Sequence, residues 1–168
     1  MEMAVSTNAE TGIFVETGPI IDEMYHLIKP LSSWTDWDNK SEAIHCLSRE
    51  HLMEWGEEPK GVLQDIIDKL AGKLVVSDAP SYDGYWFDRL CRDIEYKTGG
   101  ALGVRFGNIL NLEFGDRTFD DMLWFQLQNG MEVYRKSLTH GAQEDATDLA
   151  RFVIDCIAKT TFALYGKA

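Results

Sequence analysis

Leu74-Val75-Val76-Ser77-Asp78-Ala79-Pro80-Ser81-Tyr82-Asp83 joins three apolar residues, a polar loop closed by proline, and a carboxylate at the opening of the next element. Leu74-Val75-Val76 reads as a short buried strand. Beyond Pro80, the apolar positions Trp86, Phe87, Leu90 and Ile94 recur at helical spacing and predict an amphipathic helix. Strand, polar loop, helix is a common setting for a functional site, because the loop carries the reactive groups and the regular elements hold them still. Asp83 would sit over the edge of a sheet, although an acid that merely favours a helix N-terminus also suits that position.

Working outward, Val62, Leu63, Ile66, Ile67 and Leu70 form one helical stripe, entered near Pro59 and closed by Gly72. Ser48 is a suitable cap for a short helix to Trp55. Leu31–Lys40 carries two tryptophans among polar residues without periodicity and reads as a loop. Met3–Val5, Ile13–Val15 and Ile20–Ile28 alternate with Thr-Gly signals and read as a β-meander ending at Lys29-Pro30. On the other side, a short strand is expected around Ile109–Phe114. Thr118 and Asp121 resemble a capping box before Met122, Leu123 and Phe125. Ala142, Ala146, Leu149, Val153 and Ile157 predict a last helix to about Leu164, packed on the sheet. Strands first, then strands alternating with helices, imply an α/β chain whose mixed sheet is flanked by helices.

The chain has 168 residues, a length that suits one domain over 1–168. Its 16 Lys and Arg against 28 Asp and Glu leave a net charge of -12, which repels phosphate backbones and anionic membranes and argues against passive wrapping of a duplex. An enzyme that reaches a nucleotide through divalent cations is compatible with that charge, since the ion's own charge dominates locally. Cys46, Cys91 and Cys156 are widely spaced, with no Cys-x-x-Cys pair, and read as buried thiols in a reducing compartment. No leader pattern and no long apolar run appears, so a cytoplasmic protein without a membrane partner is expected.

The second chemical stretch is Thr139-His140-Gly141-Ala142-Gln143-Glu144-Asp145-Ala146. Asp145, fixed just inside a helix, could hold a divalent cation, while His140 in the preceding loop could swing in and take a proton from attacking water. An exposed loop histidine beside a solvated acidic helix start fits the same residues. His26, His45 and His51 read as structural. Trp34 and Trp37 could stack bases, although loop tryptophans more commonly cover a core margin.

Taken together, these stretches resemble the DEDD-type 3′-to-5′ exonucleases, in the histidine subtype that includes the proofreading subunit of the bacterial replicative polymerase. Ile20–Pro30 resembles the family's third strand and its exit proline, and Ile44–Leu52 its "IHGIT.E.L" segment. The order agrees from about Ile13 to Ala158. The resemblance implies an RNase H-like fold, with three antiparallel strands followed by parallel ones. It also implies hydrolysis of terminal phosphodiesters of single-stranded DNA or RNA at 3′ ends, with two Mg²⁺ or Mn²⁺ ions about 3.5–4 Å apart. By position, His140 would be the general base, and Asp83 and Asp145 metal ligands. By the same analogy, the Gly-rich Thr98–Asp116 stretch could pair two copies as a homodimer.

The family's first motif, Asp-x-Glu, does not occur before Asp83. Asn8-Ala9-Glu10-Thr11-Gly12 could be that motif with Asn in place of Asp, leaving Glu10 as a metal ligand. Alternatively Ala9-Glu10-Thr11-Gly12 matches the family's second-strand "IEIG" and the first motif lies upstream of Met1. Asn is a weaker ligand than a carboxylate for a hard cation. An impaired exonuclease-fold protein, kept as a nucleic-acid-binding or assembly module, is therefore the competing expectation.

Overall fold

A computed structural model of the chain describes residues 2–7, 22–97, 99–136 and 142–166. The chain divides into two compact units, one of Met1–Met3 with His26–Asn108 and one of Ala4–Tyr25 with Ile109–Ala168. Strands β1 (Glu2–Thr7) and β2 (Asp22–Leu27) pair as a two-stranded sheet. The expected meander strand at Ile13–Val15 lies outside the described residues.

In the first unit come three helices, α1 (Asn39–His45), α2 (Arg49–Trp55) and α3 (Pro59–Leu70). Asp38 caps α1 through the Lys40 amide, and Ser48 caps α2 through the His51 amide at 3.1 Å, as its sequence position predicts. α1 falls partly inside the expected loop and ends at Cys46 in the left-handed region, φ 55°. Just beyond β2, Ile28 bridges Glu57 in parallel, with Lys29 N–H donating to the Glu57 carbonyl at 2.9 Å. Gly56 permits this approach, because a Cβ there would lie 2.3 Å from the Leu52 carbonyl oxygen and 2.7 Å from Lys29 Cα. His26 closes the same corner, its Nδ1 2.9 Å from Glu57 and its Nε2 3.0 Å from Asp65.

α3 buries Val62, Leu63, Ile66 and Leu70 of the stripe read from the sequence, while Ile67, also expected there, is only half-buried. It leads into a βαβ unit: β3 (Leu74–Ser77), α4 (Pro80–Asp93) and β4 (Arg105–Asn108). β3 and β4 pair in parallel, from Leu74 opposite Arg105 to Ser77 opposite Asn108. α4 turns Phe87, Leu90 and Cys91 inward, and the Phe87 and Phe106 rings meet at 5.8 Å between centroids.

The second unit is dominated by α5 (Arg117–Lys136) and α6 (Ala142–Tyr165). The two helices run antiparallel: the Tyr134 hydroxyl near the end of α5 donates to the Asp145 carbonyl near the start of α6 at 3.2 Å, and the Tyr165 hydroxyl at the end of α6 donates to Asp116 before α5 at 3.0 Å. The stripe Phe119, Leu123, Leu127, Met131 and Tyr134 is buried, as are Cys156, Ile157 and Thr160 of α6.

These observations overturn the expected RNase H-like mixed sheet flanked by helices. Among the described residues, the strands form two separate two-stranded sheets, and only β3 and β4 are shown to run parallel. The physical reason lies in where the apolar surface is matched. Four-residue β3 and β4 offer little area, and α6 packs along α5, helix on helix, with Cys156, Ile157 and Thr160 buried while Ala146, Leu149 and Val153 of the expected stripe are only half-buried. Two local expectations also shift. The strand near Ile109–Phe114 is displaced to Arg105–Asn108, with Ile109–Asn111 a 3₁₀ turn. The cap of α5 is Asp116, whose carboxylate accepts from the Thr118 and Phe119 amides at 2.9 and 3.2 Å, not the Thr118–Asp121 pair.

Candidate functional site

Asp83 occupies the first turn of α4, at the carboxyl end of β3. Pro80 at the start of the helix provides a preset φ and needs no amide partner. Ser77, the last residue of β3, is only 6% exposed. Its hydroxyl accepts the Ala79 amide at 2.9 Å and donates to the Asp83 carboxylate, so one side chain tightens the loop and aims the acid. In open α/β units ligands gather outside the carboxyl ends of parallel strands, which is where this carboxylate stands.

Asp83 is an exposed residue, yet the partial burial of its carboxyl beside β3 raises it from the ordinary aspartate value, opposed by the Ser77 hydrogen bond and reinforced by the negative charge of Asp78. A carboxylate whose charge is poorly compensated within the protein is one that a cation or a proton relieves. Asp83 and its neighbour Asp78 are hard oxygen donors, the chemistry that suits Mg²⁺ or Mn²⁺. No group of three or more His, Cys, Asp or Glu side chains arranged to hold a metal occurs among the described residues.

Asp145 lies in the first turn of α6, in the second unit. Its backbone carbonyl is fixed by Tyr134, whose ring stacks on Phe152 at 5.5 Å and 13°. His140 and Glu10 lie outside the described residues. The remaining candidates have structural partners. His26 is bound by two carboxylates, the Trp34 indole donates to Asp93 at 2.5 Å, and the Trp37 indole donates to Glu42. His45 and His51 sit on separate helices, α1 and α2. Cys91 and Cys156 are buried as expected, whereas Cys46 is exposed. An open hollow of about 400 Å³ is lined by Asn39, Glu42, Ala43, Cys46, Ser48 and His51, and Asp83 takes no part in it.

Two features escape a reading of the sequence alone. Ser77 gains its role only once α4 folds back against β3, so no spacing rule marks it. Trp86, expected in the buried stripe with Phe87, is 44% exposed and shares the outer face of α4 with Tyr85 and Arg89. The i, i+3, i+4 recurrence of Tyr82, Tyr85, Trp86 and Arg89 is the signal that could have shown a second, aromatic stripe.

Comparison of the chain with models of protein families, with curated proteins and with solved structures finds no match. No described helix is long and apolar enough to cross a membrane.

Proposed function

We propose that the chain acts as a metal-dependent 3′-to-5′ exonuclease that hydrolyses terminal phosphodiesters of single-stranded DNA or RNA. The observation that carries this reading is Asp83, fastened to Ser77 at the carboxyl end of a parallel strand, with a carboxyl displaced toward its neutral form. In this reading Asp83 is a metal ligand, with Asp78 adding charge beside it. Asp145, in the first turn of α6, and His140 take the ligand and general-base roles that the sequence resemblance implies, and Glu10 is a further ligand. A divalent cation held at Asp83 would polarise the scissile phosphate and offset the -12 charge that otherwise repels a polyanion. Ser77 fixes which way the Asp83 carboxylate points, so that no part of the binding energy is lost in ordering it.

The test is hydrolysis of 5′-labelled single-stranded DNA and RNA in Mg²⁺ and in Mn²⁺. Stepwise shortening is expected from the wild type, with loss in Asp83→Asn and Asp145→Asn. His140→Ala should lower turnover by roughly 10²- to 10⁴-fold while metal binding persists. Absence of shortening, or equal shortening by wild type and variants, would overturn the reading in favour of a nucleic-acid-binding or assembly module without turnover.

A further inference from the structure

We draw no further inference here: the strongest candidate, the open hollow of about 400 Å³ that Cys46 and His51 line at the junction of α1 and α2, rests on a lone exposed cysteine, and nothing in the structure shows what would occupy it.

Discussion

Gly130 sits inside α5, where replacing glycine with alanine would ordinarily stabilise a helix by about 1 kcal/mol. The neighbouring helix reverses that expectation. A Cβ at position 130 would stand 2.4 Å from Phe152 Cε2 and 2.9 Å from Cζ, against an ordinary carbon contact of about 3.5–4.0 Å. The ring has little room to withdraw, because it stacks on Tyr134, itself 7% exposed and tied through its hydroxyl to the Asp145 carbonyl. Overpacking of this kind costs about 1–3 kcal/mol, so Gly130→Ala should destabilise by about 0–2 kcal/mol overall. In a Phe152→Ala background the obstruction is gone, and the same substitution should stabilise by about 1 kcal/mol. Urea unfolding of the four proteins in the cycle measures both numbers, and their difference is the coupling between position 130 and the ring. Stabilisation by Gly130→Ala in the wild-type background, or the same effect in both backgrounds, would refute the argued contact between α5 and α6.

Two further outcomes follow from the first unit. The Asp83 carboxyl titrates higher when folded than when unfolded, so its contribution favours the folded state at low pH and is lost as pH rises through the folded value. Asp83→Asn, melted in EDTA, should therefore have a higher Tm than wild type at about pH 7 and a similar one at about pH 3; a lower Tm at neutral pH would contradict that assignment. Among the three thiols, Cys46 is exposed, whereas burial pushes Cys91 up to about 11 and also raises Cys156. A chromogenic disulfide reagent should titrate one thiol rapidly in the native protein and the other two only after denaturation; rapid reaction of all three, or of none, would contradict the burial pattern.

What the sequence made legible was local. The stripe of α3, the Ser48 cap, the strand at Leu74–Val76 and the helix beyond Pro80 each follow from spacing that a single element reports about itself. The partner of a stripe is a different kind of information. Ala146, Leu149, Val153 and Ile157 mark one face of a helix, but nothing in their spacing says that the helix packs along α5, or that Thr147, Cys156 and Thr160 are buried with Ile157 while the other three are half-buried, and there the expected fold failed. The same limit explains Asp116, which caps α5 although Thr118 and Asp121 carry the more recognisable pattern: which oxygen captures the free amides depends on how the chain enters the helix.

The site shows the same division with a chemical consequence. That Asp83 follows a short strand is visible in the residues, and so is the acid at Asp78, but the expected burial of that strand is not met: Leu74 is exposed, Val75 and Val76 are half-buried, and only Ser77 is buried. That the Asp83 carboxyl is raised from its ordinary value is not visible, because it depends on the partial burial of that carboxyl in an otherwise exposed residue and on a hydroxyl six positions earlier. The Ser77 bond favours the charged form, while partial burial and Asp78 oppose it, and the opposition prevails. Folding thus leaves an aimed but incompletely compensated negative charge at the end of β3. A cation bound there would gain from both features at once, since the carboxylate is already oriented and its repulsion by Asp78 would turn into shared attraction. Neutralising either acid should therefore weaken such a cation more than the loss of one ordinary surface carboxylate would.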